Sequence, residues 1–156
     1  MTIENEIKSS FSSEYHKAVV NLIYTHNFIV GELSALFKEH GITLQQFNVL
    51  RILRGQFPHS ASIGLIRERM LDKMSDISRM VERLKKKGLI NKKISRKDRR
   101  STEVVISKKG LDLLERLDVQ VEQANNILSH LDHEEASQLN YLLDKIRESK
   151  FELNTK

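Results

Sequence analysis

The sequence predicts a mostly α (α+β) fold, and three observations carry that expectation. Apolar residues recur at three- and four-residue spacing along most of the 156 residues, the signature of helices with one buried face. Two short β-branched segments, 89–94 and 102–106, read as a two-stranded hairpin, with Val104 and Ile106 alternating as a half-buried strand would. Between them lies the charged stretch Ser95-Arg96-Lys97-Asp98-Arg99-Arg100-Ser101.

The first helix is expected over residues 13–40, with Val19, Val20, Ile23, Phe28, Ile29, Leu33, Leu36 and Phe37 apolar and Gly41 as its stop. Thr43 and Gln46 then form a capping box, in which each side chain satisfies an exposed N–H at the helix start. The helix they open carries Leu44, Phe47, Leu50 and Leu53 and ends near Gly55. Pro58, the only proline, marks a loop, after which Ser62 caps a short helix reaching Met70. Ser75 is the expected N-cap of the next helix, which runs through Lys87 to a stop at Gly88. Ile77, Met80, Val81 and Leu84 make its buried stripe, so Ser75, Arg79, Glu82, Arg83 and Lys86 face outward, with Ser78 at the margin and Asp76 near Arg83. Beyond the hairpin, Ser107 caps a long helix carrying Leu111, Leu114, Leu117, Val121, Ala124, Leu128 and Leu131. Asp132 and Glu135 form a second capping box and open a last helix with Leu139, Leu142, Leu143 and Ile146 on one face.

Two helices separated by a turn and followed by a basic hairpin describe a winged helix-turn-helix, whose second helix enters the major groove. The terminal helices carry more apolar surface than so small a centre can cover, which predicts packing against a second copy of the chain. The expected organisation is a dimerisation helix over 1–40, a winged helix-turn-helix over 41–107 and dimerisation helices over 108–156, all in one intertwined domain.

Charge is distributed unevenly. Residues 67–109 hold 16 Lys and Arg against 6 Asp and Glu, while the remainder holds 10 against 15. A basic middle between acidic ends is the footprint of contact with a polyanion. The absence of cysteine excludes disulfides, thiolate zinc sites and thiol switching. Neither a secretory leader pattern nor an apolar run of membrane-spanning length is present, so a cytoplasmic chain with no membrane partner is expected.

Asp98-Arg99-Arg100-Ser101 leading to Ser107-Lys108-Lys109-Gly110, together with the run SDISRMVERLKKKGLI from Ser75 to Ile90, resembles the MarR family of bacterial transcription regulators. The likeness extends over about residues 43–110. It implies a homodimer that binds double-stranded DNA at a pseudo-palindromic operator, usually as a repressor, and that in many members releases DNA when a small aromatic or phenolic effector binds. It also implies residue roles. Arg100 would enter the minor groove with Asp98 orienting it, and Ser75, Asp76, Ser78, Arg79 and Arg83 would contact bases and phosphates. Arg96, Lys97, Arg99 and Lys86 suit neighbouring phosphates. Arg67 departs from the family pattern, standing where a small residue is usual, and Leu71-Asp72-Lys73 replaces the usual small residues of the turn.

Two other readings compete. A winged helix used as a protein-interaction module would expose an apolar or mixed face, whereas this one carries Arg79, Arg83 and Lys86. A small-molecule or metal sensor without specific DNA binding would need a ligand set, and of the histidines only His130 and His133 have helix-like spacing, with the Asp132 cap between them. Tyr15, Tyr24, Phe28, Phe37 and Phe47 are candidates for an effector pocket, but aromatic residues at helical spacing more often form core, and no effector-binding residue is assigned. No glycine-rich phosphate loop, metal-ligand motif or activated serine is found, so neither a cofactor nor an enzyme is expected.

Overall fold

In the computed structural model the described residues are 2–94 and 102–153, and they form two compact units that divide between Gln120 and Val121. The first unit begins with α1 (Ile3–Ile7) and α2 (Glu14–Glu39). Ser13 caps α2 by accepting the His16 N–H at 3.1 Å. α3 (Leu44–Gln56) starts at the expected capping box: Thr43 Oγ1 accepts from the Gln46 N–H at 3.2 Å, and Gln46 Oε1 accepts from the Thr43 N–H at 3.3 Å. β1 (Ala61–Ser62), α4 (Ile63–Arg69), α5 (Ile77–Lys86), β2 (Ile90–Ile94), β3 (Thr102–Ile106) and α6 (Lys108–Ala124) follow.

The strands form an antiparallel sheet in the order β1-β3-β2. Ile90 pairs with Ile106 and Lys92 with Val104, while Ala61 pairs with Val104 from the other side. Leu50 and Leu53 of α3, Ile66 of α4, Ile77, Val81 and Leu84 of α5, Val104 and Ile106 of β3, and Leu114 and Leu117 of α6 are buried together as the core. Phe37 stacks on Phe47 with ring centroids 4.2 Å apart, which fastens the end of α2 to α3. Gly110 sets the first turn of α6 against the lead into β2, since a Cβ there would lie 2.3 Å from the Leu89 carbonyl oxygen. No side chain other than hydrogen fits that approach.

The second unit holds the end of α6, a 3₁₀ turn (Asn125–Leu128) and α7 (His133–Leu153). Asp132 and Glu135 make the expected capping box, both hydrogen bonds measuring 2.9 Å.

Several expectations need correction. Ser75 does not cap α5: the cap is Asp76, whose Oδ1 accepts the Arg79 N–H at 3.1 Å. The helix expected to reach Leu131 stops at Ala124 and gives way to the 3₁₀ turn over Asn125–Leu128; asparagine is among the weaker helix formers. α1 and β1 were not anticipated. α1 is tied by Tyr24 Oη donating to Glu6 at 3.0 Å and by the Lys17–Glu4 pair at 2.6 Å, contacts no local pattern announces. Of the aromatic residues weighed between core and pocket, Phe37 and Phe47 are buried, but Tyr15, Tyr24 and Phe28 are exposed, as are Leu139, Leu142 and Ile146 on α7. Among the described residues, no helix is long and apolar enough to cross a membrane.

Candidate nucleic-acid interface

α5 presents opposite chemistries on its two sides. Ile77, Val81 and Leu84 are buried, whereas Ser78, Arg79, Glu82, Arg83, Lys85 and Lys86 are exposed. The Asp76 cap anchors the N-terminal end. At the other end Gly88 adopts φ +72°, a left-handed geometry that glycine enters without strain. Three side chains then fasten this exit. Lys87 donates from Nζ to the Gly41 carbonyl and, at 3.3 Å, to Gln46 Oε1; Lys109 Nζ donates to the Lys87 carbonyl at 2.9 Å; and the Ser107 hydroxyl donates to the Gly88 carbonyl at 2.7 Å. The helix is thereby fixed to the α2–α3 corner and to the start of α6.

The turn before α5 is equally constrained. Asp72 Oδ1 accepts the Met74 N–H at 2.9 Å and Asp72 Oδ2 accepts the Ser75 hydroxyl at 2.8 Å, an Asx turn that steers the chain into the helix. Asn48 of α3 accepts the Leu71 N–H at 2.9 Å. Arg67 is exposed on α4, so an arginine in place of a small residue disturbs no packing at this position.

Two of the concavities beside α5 take in Arg79. One, of about 440 Å³, lies between α5 and the sheet and is lined by Ser78, Arg79, Glu82, Arg83, Lys86 and Lys92. Its single acid is held by a neighbour: Lys92 Nζ lies 2.5 Å from Glu82 Oε1, and that ammonium keeps the Glu82 carboxyl below the usual carboxylate range. The other, of about 320 Å³, is bounded by Thr43, Gln45, Ser75, Asp76, Arg79 and Arg83. The Arg79–Asp76 pair spans 3.5 Å with side chains 80% and 59% exposed, loose enough for the guanidinium to leave for an external acceptor.

Of the residues singled out in sequence, Asp76, Ser78, Arg79, Arg83 and Lys86 lie exposed along α5 or at its cap, with Ser75 half-buried beside them. Ser75 also serves the turn through its bond to Asp72. Arg96, Lys97, Asp98, Arg99 and Arg100 lie outside the described residues. In sequence Lys87 and Lys92 read only as part of the basic charge of residues 67–109, and Asp72 and Asn48 carry no role in the site. The Asp-x-x-Ser spacing of Asp72 and Ser75 was a readable turn signal, but the partners of Asn48, Lys87 and Lys92 lie on other elements and leave no local trace.

Comparison with known proteins places this geometry. The MarR family model matches residues 42–102. The HTH-type transcriptional regulator PapX of Escherichia coli is 29% identical over 89 residues, 57% of this chain and 54% of that protein, so the match spans only about half the length of this curated relative. The crystal structure of a MarR transcription factor from Planctomyces limnophilus superposes with a TM-score of 0.69 at 29% identity, covering 86% of this chain and 98% of that one. The MepR–DNA complex of S. aureus superposes at 0.75 with 19% identity, covering 90% and 99%, a likeness of fold.

Proposed function

The chain carries a MarR-family domain over residues 42–102, and from that premise we propose that it is a sequence-specific DNA-binding transcription regulator. In this reading it acts as a ligand-responsive repressor and binds a pseudo-palindromic operator as a homodimer. The observation that carries it is the face of α5: Arg79, Arg83, Lys85 and Lys86 stand exposed on a helix whose opposite side is buried and whose two ends are fixed. A rigid helix with cations outward can enter a major groove without first ordering itself. The structural relative MepR is a DNA complex with a similar fold, which supports the same use here.

Within this reading Arg79 and Arg83 reach bases or phosphates, Lys86 reaches phosphate, and Ser75, Asp76 and Ser78 line the entry of the helix. Arg96, Lys97 and Arg99 bind phosphates, and Arg100, oriented by Asp98, enters the minor groove; for these five the support is the wing motif alone. Dimerisation is supported by the exposed apolar face of α2, where Tyr15, Val19, Leu22 and Ile23 recur at helical spacing. A small aromatic or phenolic effector that releases DNA is supported by the family likeness.

Selection of bound duplexes from a random library tests the reading. A recovered palindrome is expected, and its affinity should fall with log salt at a slope of about −7 if a dimer neutralises roughly 8 phosphates. Recovery of no preferred sequence, or salt-independent affinity, would overturn it. Arg100→Ala is expected to weaken operator binding without changing thermal stability, and Asp98→Asn to weaken it although net positive charge rises.

A further inference from the structure

The link between α4 and α5 leaves two large apolar side chains in solvent. Leu71 is 83% exposed and Met74 is 93% exposed, whereas neighbouring Met70 is 2% exposed and belongs to the core. Single exposed apolar residues are common, but these two occupy one four-residue turn and are not there through slack chain. Asp72 holds the Met74 N–H and the Ser75 hydroxyl, Asn48 holds the Leu71 N–H, and Lys73 donates to the Glu68 carbonyl at 2.5 Å. The backbone of the turn is thus fixed while both side chains stand outside the core. An apolar group presented on a fixed backbone loses little freedom when a partner covers it.

The surroundings select the partner. Arg67, Arg69, Lys73 and Arg79 lie within eight residues of this pair in sequence and are all exposed, against Glu68, Asp72 and Asp76, of which Asp72 is engaged in the turn and Asp76 in the helix cap; the net cationic balance suits a polyanion better than an apolar protein surface. A stable protein interface also needs about 800 Å² on each side, far more than two side chains supply. Met74 precedes Ser75 and the Asp76 cap, at the end of α5 that reaches base edges in helix-turn-helix docking. The major groove displays one apolar group, the C5-methyl of thymine. An unbranched thioether with several rotatable bonds adapts well to such a contact.

We propose that Met74 is a specificity-determining residue that covers a thymine methyl at one position of each operator half-site, with Leu71 closing the same edge against water. The inference rests on the DNA-binding reading of α5 given above.

The test uses the full chain and the site it selects. Each thymine of that site is replaced in turn by deoxyuridine, which lacks only the methyl group, and affinity is measured for the wild type, Met74→Ala and Met74→Gln. For the wild type, loss of one buried methyl should cost about 4-fold per half-site at one symmetry-related pair of positions. Both variants should bind the thymine site less tightly and lose that discrimination, binding thymine and uracil sites within about 1.5-fold of each other on the same per-methyl scale. Because Met74 lies outside the core, unfolding curves of the variants should match the wild type. Equal discrimination by wild type and variants, or none at any position in the wild type, overturns the assignment while leaving operator recognition intact. Failure of the wild type to select any sequence overturns operator recognition itself, and this assignment with it.

Discussion

Lys92 of β2 donates to Glu82 of α5 across 2.5 Å, joining the first strand of the hairpin to the outward face of the helix beside it. The pair resolves a conflict on that face. A free carboxylate among Arg79, Arg83 and Lys86 would repel phosphate, and the ammonium offsets it. Lys92→Met should therefore lower affinity for duplex DNA by uncovering Glu82, while Glu82→Gln should raise affinity for non-specific duplex. Fluorescence anisotropy at fixed salt checks both signs.

The same pair sets a pH dependence. Lys92 holds the Glu82 carboxyl below its ordinary value of 4.5 in the folded protein, so the unfolded chain takes up the proton first as pH falls. The resulting stability is present above 4.5 and is lost as pH drops through the folded value. Thermal melts between neutral pH and about pH 3 should show a shallower acid decline for Glu82→Gln than for the wild type. Parallel curves would remove the ion pair from this account.

Asp76, rather than Ser75, caps α5. Asp76→Ala should cost about 1 kcal/mol in chemical denaturation, the usual effect of losing an N-cap. Ser75→Ala removes only an exposed hydroxyl bond to Asp72 and should cost less. A larger loss at Ser75 would reverse the assignment.

Gly110 offers a sharper test of packing. An added methyl meets the Leu89 carbonyl oxygen at 2.3 Å and Ile106 Cγ1 at 2.7 Å. The backbone oxygen has no rotamer by which to withdraw, so Gly110→Ala should destabilise by about 1–3 kcal/mol or more. A urea midpoint unchanged from the wild type would contradict the contact.

Arg83→Ala should weaken operator binding without altering the melting curve, because the side chain is exposed on α5. If Arg83 sits on a phosphate, the salt slope should fall by about 1 per half-site with all sequences affected alike; if it reads a base, preference at one position should relax instead.

The parts of the fold visible in the sequence are those governed by local rules. The Thr43–Gln46 and Asp132–Glu135 boxes, the Ser62 cap and the Ile77, Met80, Val81, Leu84 stripe each depend on residues within one or two turns, and the structure places them as expected except that Met80 is half-buried. The winged helix-turn-helix itself was legible because its helices and strands carry their own periods. The misses come from competition and distance. Two adjacent residues, Ser75 and Asp76, could both cap α5, and the Asp72 turn engages the serine and leaves the aspartate for the helix. β1 is two residues long and exists only because β3 offers it an edge. In the candidate site the cationic face could be read directly, whereas the commitments of Lys87 and Lys92 arise from partners 46 and 10 residues away in sequence.

The hold of Lys87 on the Gly41 carbonyl and on Gln46 separates two properties that a lysine normally combines. Its charge still contributes to attraction at a distance, but its arm is anchored and cannot follow a phosphate. Long-range attraction of that kind weakens as salt shortens the screening length, to about 8 Å at physiological ionic strength. Its mechanical share persists, since a direct hydrogen bond to uncharged acceptors is little affected by distant ions. In concentrated salt, therefore, Lys87 would cease to recruit a polyanion while continuing to brace the helix that meets it.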